Sequence, residues 1–241
     1  ICLDPIAEVK LEDRKLKSII HNREVDAIDI SDKVIPDLRK FLNGFEFEQK
    51  KKPYNFNGFF GYMNYDTIEF MEDVELKKNP ENIPDLRYSL FRYVFQFHHL
   101  EDSLTIIENR FEDMEEGIED MIGNINTSII SDFEFNADGD ETSDMSEEQY
   151  RSIVTRAKKH IQRGDVFQIV LSREFKRPFL GDEFNVYRHL RHVNPSPYLF
   201  YFDYSDYKLM GSSPEIQIKV QGNKATVNPI AGTYRRTGDN E

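Results

Sequence analysis

Residues 146–175 read SEEQYRSIVTRAKKHIQRGDVFQIVLSREF, and this stretch predicts a helix followed directly by a strand. Ser146-Glu147-Glu148-Gln149 has the spacing of a capping box, which supplies partners to the first backbone N–H groups of a helix. Apolar residues then recur at helical spacing as far as Gly164, a residue type that ends helices in the left-handed conformation. We therefore expect a helix over roughly 147–163. The β-branched and aromatic residues of Val166–Phe175 predict a strand.

The segments on either side of this stretch predict mostly short strands. A second helix is expected near 183–192, and the prolines that follow stop it because proline lacks a backbone N–H donor. A two-residue Gly222-Asn223 turn predicts a hairpin. Runs of strands with few helices between them are typical of an α+β fold. The expected strands are Asn57–Tyr65, Tyr88–His98, Leu104–Asn109, Tyr198–Tyr204, Glu215–Gln221 and Lys224–Asn228, with a further helix over 113–130.

An acidic segment divides the chain. Residues 131–149 contain eight acids and no lysine or arginine, so the segment repels itself and hydrates well. We expect an exposed linker here, between an N-terminal α+β region, residues 1–130, and a second region, residues 150–241. A calcium loop starting at Asp138 is a poor match, because Ser143 stands where such a loop needs glycine.

Charge and cysteine content exclude several classes of protein. The 241 residues carry 31 basic and 44 acidic side chains, a net charge of −13 that repels nucleic-acid phosphates. The single cysteine cannot form an internal disulfide bond. The 19 phenylalanines and 12 tyrosines supply large buried areas. We therefore expect a folded protein that does not bind nucleic acid.

No membrane or secretory segment is recognisable in the sequence. No stretch reaches the ~18 uninterrupted apolar residues of a membrane helix. Residues 1–30 alternate apolar and charged positions, which is unlike a secretory signal. We expect no membrane association and a cytoplasmic location. The chain begins at Ile1 and stops at Glu241 within running segments, so we also expect it to be a fragment.

Two candidate sites among the histidines and glycines are weak. His189 and His192 have an i, i+3 spacing that could place two metal ligands on one helix face, but no third ligand has a matching spacing. Residues 58–61, GFFG, could hold a phosphate or could pack closely within an aromatic strand, and the segment lacks the lysine of a phosphate loop. We assign no metal ligands.

Three further segments combine polar side chains with small residues. Residues 164–172, GDVFQIVLS, place the neutral amide of Gln168 within an apolar strand, where a buried amide needs hydrogen-bond partners. Residues 211–215, GSSPE, form a small-residue turn that presents Glu215 at the start of a strand. Residues 228–233, NPIAGT, combine a glycine that allows a ligand close to the backbone with a threonine hydroxyl.

These three segments, in this order, resemble the chorismate-utilising enzymes, and most closely the synthase subunit (component I) of anthranilate synthases. The match extends to residues 58–62, GFFGY, with Tyr65-Asp66, and to residues 194–200, NPSPYLF. The resemblance covers essentially the whole chain and is dense over 146–236. It implies two antiparallel β-sheets in a sandwich flanked by helices, with residues 150–241 as the first part of a chorismate-binding domain.

The resemblance also implies a reaction and a set of partners. Anthranilate synthases add ammonia to the ring of chorismate, expel the C4 hydroxyl and eliminate pyruvate, leaving anthranilate for tryptophan biosynthesis. Mg²⁺ binds the substrate carboxylates, a glutamine amidotransferase subunit supplies the ammonia, and tryptophan is the feedback inhibitor. The family's Mg²⁺ ligands are expected beyond residue 241, so we expect the fragment alone to be inactive.

The resemblance gives roles to five residues of the three segments. Gln168 stands where water-adding relatives carry a lysine base, and ammonia, which has its own lone pair, needs orientation more than deprotonation. Glu215 matches the general acid for the departing C4 hydroxyl, a role that needs partial burial. Gly232 and Thr233 match positions that contact chorismate. Ala231 stands where aminodeoxychorismate synthases usually carry a nucleophilic lysine, which a methyl group cannot replace.

Two alternatives stay open beside this assignment. One is aminodeoxychorismate synthase component I, which is argued against by Ala231. The other is a non-catalytic module that binds an amino acid or a partner subunit. Pro197, Tyr198 and Leu199 match one wall of the family's tryptophan site, and the other wall would lie before Ile1.

Overall fold

The computed structural model describes residues 1–30, 33–48, 56–76, 83–127, 134–230 and 232. The chain divides into a first unit, Ile1–Ile129, and a second unit, Ile130–Glu241.

A six-stranded antiparallel sheet is the centre of the first unit. The strand order is β3-β2-β1-β5-β4, and β6 also pairs with β5. β5 has 13 residues, which is long enough for β4 to pair with its first half and β6 with its second half. The strands are β1 (Cys2–Glu12), β2 (Lys15–Ile20), β3 (Arg23–Asp29), β4 (Phe59–Met63), β5 (Leu86–His98) and β6 (Ser103–Glu108).

Two tight turns without glycine connect β1, β2 and β3. Asp13 and Arg14 have φ angles of 52° and 60°, and His21 and Asn22 have φ angles of 48° and 60°. A positive φ at both central residues defines the type I′ turn, whose twist suits antiparallel hairpins. Since glycine normally marks such turns, these three strands were not among those expected from the sequence.

One face of this sheet packs against helices. Helix α1 (Ile35–Asn43) has proline in its first turn, where the missing N–H costs nothing. Leu38 of α1 and Phe70 of a 3₁₀ helix, Tyr65–Phe70, are buried with sheet residues in one cluster. The sheet residues of the cluster are Val9, Leu11, Leu16 and Leu86. Helix α2 (Ile118–Thr127) follows β6 and lies within the helix expected over 113–130.

In its described residues, the second unit contains two helices and four two-stranded antiparallel pairs. Strand pairing joins β7 with β10, β8 with β9, β11 with β12 and β13 with β14. The helices are α3 (Glu147–Arg163) and α4 (Phe184–Val193). The strands are β7 (Phe135–Ala137), β8 (Thr142–Ser143), β9 (Phe175–Lys176), β10 (Phe179–Gly181), β11 (Tyr198–Asp203), β12 (Lys208–Ser213), β13 (Lys219–Gln221) and β14 (Lys224–Thr226).

Helix α3 confirms the expected helix and both of its ends. The Ser146 side chain accepts from the Gln149 N–H, and the Gln149 side chain accepts from the Ser146 N–H, which completes the capping box. Gly164 has a φ angle of 81°, the left-handed conformation of a C-terminal cap. Helix α4 likewise confirms the helix expected near 183–192.

The strand expected at Val166–Phe175 is wrong. Residues 166–174 form no strand, and only Phe175 and Lys176 pair, as β9 with β8. Phe167 and Val170 are exposed. A segment rich in β-branched residues forms a strand only where a neighbouring strand can pair with it. The composition of residues 166–174 was therefore not sufficient to predict a strand.

Two expectations around Glu215 need correction. Residues 211–213 of the expected turn belong to β12, and Glu215 does not begin a strand, because the strand expected at Glu215–Gln221 is reduced to β13. The hairpin across Gly222-Asn223 is present. The acidic segment 131–149 carries two short strands, β7 and β8, within its described part. The predicted fold class, antiparallel sheets with few helices, is confirmed. Over the described ranges, no helix is long and apolar enough to cross a membrane.

Candidate functional site

The β11–β12 hairpin brings two of the sequence segments side by side. Tyr198 pairs with Ser213, and Leu199 pairs with Ser212. The Ser212 hydroxyl also donates to the carbonyl oxygen of Asn194. The segment that matches a tryptophan-binding wall, with Pro197, therefore lies along the strand that leads to Glu215.

Gly211 in β12 leaves room for an aromatic ring of the paired strand. A Cβ atom at this position would lie 2.4 Å from Cζ of Phe200. Phe200 is opposite Gly211 in the register, so its ring covers the glycine directly. Glycine here permits the close contact between ring and backbone.

A hydroxyl-stabilised turn follows β12 and positions Glu215. The Ser213 hydroxyl donates to the carbonyl oxygen of Glu215 over 3.1 Å, and the Glu215 N–H lies 3.4 Å from the same hydroxyl oxygen. Pro214 lies between them and fixes its own φ angle. The Glu215 side chain is exposed in this structure, whereas the general-acid role inferred from the resemblance calls for partial burial.

The Glu215 carboxylate connects the segment 211–215 with Ile230 of the segment 228–233. Its Oε1 atom accepts a hydrogen bond of 2.9 Å from the backbone N–H of Ile230. Gly232, which is exposed, follows two residues later. Ala231 and Thr233 lie outside the described residues. The carboxylate is therefore tied to the segment that the resemblance assigns to chorismate contact.

The first of the three sequence segments, residues 164–172, is not among the described residues that contact Glu215. Gln168 is exposed and lies in the stretch that forms no strand, so the argument from a buried amide does not apply. Within the described residues, we find no hydrogen bond or ion pair between residues 164–172 and Glu215. Asp165 instead contacts Arg163 and His160 at the end of α3. Hydrogen bonds from Arg163 and His160 lower the pKa of Asp165.

A polar and aromatic cluster anchors α4 to the β11–β12 hairpin. The Tyr201 hydroxyl lies 3.4 Å from Oε1 of Glu183, and its ring packs edge-on against Phe184. Burial, with help from the charges of Glu183 and Asp203, raises the pKa of Tyr201 to about 12, so the phenol stays a neutral donor. Lys208 Nζ lies 2.7 Å from Oδ1 of Asp203. This cluster stabilises the hairpin and contains none of the predicted site residues.

Two contacts of the site were missed from the sequence: the Ile230 N–H and the Ser212 hydroxyl. A partial signal for the first was present in the Gly222-Asn223 turn. This turn sets the β13–β14 hairpin, and Glu215 and Ile230 each lie four residues beyond its last pair, Lys219 with Thr226. No comparable signal pointed to the bond between Ser212 and Asn194.

The glycine segment 58–61 belongs to the first unit and serves packing. A Cβ atom at Gly61 would lie 1.9 Å from the carbonyl oxygen of Arg87. This supports the interpretation of close packing within an aromatic strand over that of a phosphate loop. A cavity of about 320 Å³ in the same unit is lined by Arg92, Tyr93 and residues of α2, and by none of the predicted site residues.

The described residues do not supply a metal site. Among them, no group of three or more His, Cys, Asp or Glu residues could hold a metal ion. The residues present therefore do not fit the Mg²⁺ that the family resemblance implies, and we assign no catalytic step to that ion.

Known proteins are similar to this chain over most of its length. Anthranilate synthase component 1 of Aquifex aeolicus (strain VF5) is 32% identical over 216 residues, which are 83% of this chain and 42% of that protein. The chloroplastic anthranilate synthase alpha subunit 1 of Arabidopsis thaliana is 36% identical over 213 residues, 76% of this chain and 35% of that protein. The chain thus spans less than half the length of these two relatives.

A protein with a known crystal structure has a similar fold. The crystal structure of anthranilate synthase component I from Streptococcus pneumoniae TIGR4 matches with a TM-score of 0.73 and 22% sequence identity. The match covers 95% of this chain and 53% of that chain. At the level of families, residues 5–241 match the family described as chorismate binding enzyme. Since that match covers nearly all of the sequence, the chain belongs to the family of chorismate-binding enzymes.

Proposed function

We propose that this chain is part of the synthase subunit of an anthranilate synthase, a lyase that converts chorismate and ammonia to anthranilate and pyruvate. The observation that carries the proposal is the hydrogen bond between Glu215 and Ile230, which holds a carboxyl group against the segment assigned to chorismate. The names of the relatives support the same activity. We further propose a cytoplasmic location and a place in tryptophan biosynthesis.

In the proposed reaction each residue of the site has one task. Glu215 donates a proton to the C4 hydroxyl, which leaves as water. The role of Gln168 rests on the resemblance alone, because the structure does not bring this residue to Glu215: its amide would orient ammonia and remove no proton from it. Gly232 allows the substrate close to the backbone, and the Thr233 hydroxyl binds it. Ala231 offers no nucleophile, which favours anthranilate over aminodeoxychorismate as the product.

The remaining components are proposals for residues and partners outside this chain. A glutamine amidotransferase subunit would supply ammonia, and Mg²⁺ would be held by ligands beyond residue 241. Tryptophan would inhibit by binding at a site whose one wall is Pro197, Tyr198 and Leu199. We propose that the 241-residue chain alone forms no anthranilate, because it lacks these ligands.

Product analysis tests the proposal. The assay uses the 241-residue chain and an extended protein, by which we mean this chain continued to the full length of its relatives. Each is incubated with chorismate, ammonium chloride and MgCl₂, and anthranilate is followed by its fluorescence. We expect anthranilate from the extended protein and none from the chain alone. Anthranilate from the chain alone would contradict its inactivity, while aminodeoxychorismate as the product would favour the sibling enzyme.

Calorimetry separates the enzyme from a non-catalytic module. The extended protein is titrated with chorismate and, separately, with tryptophan. An enzyme under feedback control binds both. Binding of tryptophan without binding of chorismate would support a module that senses an amino acid, and would contradict the proposed activity.

A further inference from the structure

We propose that the backbone N–H of Ile230 is a positioning group for Glu215, and that it determines which carboxyl oxygen delivers the proton. The inference rests on the proposed function, because it takes Glu215 as the acid. The N–H donates to Oε1 over 2.9 Å. A neutral carboxyl group has one oxygen that only accepts and one that carries the proton. Because Oε1 accepts from Ile230, the transferable proton lies on Oε2.

The hairpin between the two residues sets this contact. Strands β13 and β14 pair Lys219 with Thr226, and Gln221 with Lys224. Pairing ends at Lys219 and Thr226, and residues 215–218 and 227–230 continue from this pair without forming a strand. Glu215 and Ile230 each lie four residues beyond that last pair, where the Glu215 side chain accepts from the Ile230 N–H. The turn at Gly222-Asn223 sets this equal spacing, and we expect a change of one residue in the loop to disturb it.

A proline precedes each of the two bonded residues. Pro214 comes before Glu215 and Pro229 comes before Ile230. Each proline has a fixed φ angle, and it also restricts the residue before it to extended conformations. Pro229 has no N–H of its own, so the first backbone donor after it is that of Ile230. Both partners of the bond are thus presented by stiff backbone.

The Ser213 hydroxyl forms a second hydrogen bond to Glu215, at its main chain. It donates to the Glu215 carbonyl oxygen over 3.1 Å. Ser213 bonds to the Glu215 main chain and Ile230 bonds to Oε1, so that, among the residues the structure describes, Oε2 is the carboxyl oxygen left for a substrate. Positioning of this kind raises a rate because it removes orientations in which the proton cannot be transferred.

Nuclear magnetic resonance of the 241-residue chain tests the contact without any activity. The chain is labelled with ¹⁵N, and the amide signal of Ile230 is followed from neutral to acidic pH. We expect the amide proton to move downfield as the carboxylate forms, because a charged acceptor strengthens the hydrogen bond. In Glu215→Gln, which keeps an acceptor oxygen but cannot ionise, this transition is expected to disappear.

Asp140→Asn is the matched control, because it removes an exposed carboxylate elsewhere in the second unit and is expected to leave the transition unchanged. The proposal is overturned if Ile230 shows no transition in the wild-type chain. It is equally overturned if the transition persists in Glu215→Gln.

The catalytic consequence is measured in the extended protein. Replacing the peptide N–H of Ile230 by an ester oxygen removes the donor and keeps the side chain. We expect kcat to fall by about tenfold to a hundredfold with KM unchanged. An ester at Val227 is the control. An equal fall of kcat in both ester variants would contradict a positioning role of the Ile230 N–H. If the extended protein makes no anthranilate at all, the proposed function fails while the resonance experiment still decides the contact.

Discussion

Gly61 has no side chain because the neighbouring strand leaves no space for a Cβ atom. Such an atom would lie 1.9 Å from the Arg87 carbonyl oxygen and 2.7 Å from Cα of Tyr88. Both obstacles are backbone atoms of β5, so they cannot move without breaking the strand pairing. We expect Gly61→Ala to lower the free energy of unfolding of the first unit by about 2–4 kcal/mol, measured by urea denaturation followed by circular dichroism.

Gly123 provides the matched control for this substitution. It lies in α2, and a Cβ atom there would have no heavy atom within 4 Å. Alanine is a better helix former than glycine, so Gly123→Ala is expected to raise the free energy of unfolding by about 0.5–1 kcal/mol. Equal effects of the two substitutions would contradict the packing role of Gly61.

Glu215 is the residue on which the proposed chemistry depends. In the extended protein, Glu215→Gln keeps the acceptor for the Ile230 N–H and removes the transferable proton. We expect kcat for anthranilate formation to fall by about 10²–10⁴, the usual contribution of a general acid, with little change in KM. Steady-state kinetics at several chorismate concentrations measure both constants. A kcat within a factor of about two of the wild type would exclude Glu215 as the acid.

The sequence could predict the site residues only through the resemblance, and their arrangement only in part. The Gly222-Asn223 turn implied the pairing of β13 with β14, because a two-residue turn fixes the register of its strands, but the bond between Glu215 and Ile230 lies beyond their last pair. The place of Gln168 could not be derived, because the strand expected around it depends on a pairing partner that the sequence does not reveal.

Helix α3 is an element whose two ends are set by single residues. Its N-terminal cap is Ser146 and its left-handed C-terminal cap is Gly164. We expect Ser146→Ala to cost about 1 kcal/mol of unfolding free energy, because an N–H group at the helix start loses its partner. Gly164→Ala is expected to cost about 1 kcal/mol, because alanine disfavours a φ angle of 81°.

Thermal denaturation followed by circular dichroism measures both losses. Ser152→Ala is the control, since Ser152 is exposed in the middle of α3 and caps neither end. It is expected to leave stability unchanged or slightly raised. If Ser146→Ala behaved like Ser152→Ala, the capping box would not contribute to the stability of the protein.

The β1–β2 hairpin carries an ion cluster whose contribution depends on pH. A hydrogen bond from Lys17 lowers the pKa of Glu12 below its ordinary 4.5, against the effect of burial and with help from Lys10. The same bond raises the pKa of Lys17 above 10.5. Stabilisation through Glu12 is therefore present above its unfolded-state pKa and is lost as the pH falls through the folded-state value. Stabilisation through Lys17 is lost as the pH rises through its folded-state value.

Substitution of Glu12 tests this pH dependence of stability. At neutral pH, Glu12→Gln is expected to lower the free energy of unfolding by about 0.5–1 kcal/mol, and the difference from wild type should disappear as the pH falls through the folded-state pKa of Glu12. Asp29→Asn is the control, because Asp29 is largely exposed and lies 3.9 Å from Lys15. It should have no measurable effect, and a constant loss in Glu12→Gln at all pH values would contradict the ionic origin.

Elements whose ends are marked by residues close in the sequence could be predicted, and elements without such residues could not. The ends of α3 follow from Ser146, Gln149 and Gly164, because capping is decided within one turn of the helix. Strands β1 to β3 lacked a signal because residues other than glycine occupy their turns. The strand expected at Val166–Phe175 had composition in its favour, but only its last residue, Phe175, pairs with a described strand, β8.

At the scale of the whole molecule, the two units differ in how much apolar surface they bury. Of the described residues in the second unit, only Ala157 and Tyr204 belong to the buried apolar set, whereas the sheet of the first unit buries several apolar residues in each of β1 and β5. Local stability follows burial and pairing. We expect amide hydrogen exchange to be slowest in β1 and β5 and faster throughout the second unit, measured by mass spectrometry of peptides. Equal protection in both units would contradict this difference.

The fold class could be anticipated at this scale, because runs of short strands with few helices favour antiparallel sheets. The actual pairing order could not, because β5 joins β1 and β4, which are separated from it by many residues in the sequence. Such long-range pairing is decided by the burial of whole faces rather than by local pattern.

That this chain carries the acid-bearing part of an anthranilate synthase is tested most directly by the products of the extended protein. Pyruvate and anthranilate are measured together after incubation with chorismate, ammonium chloride and MgCl₂. We predict one pyruvate for each anthranilate formed, and loss of both products in Glu215→Gln. Consumption of chorismate without release of pyruvate, or full product formation in Glu215→Gln, would contradict the assignment.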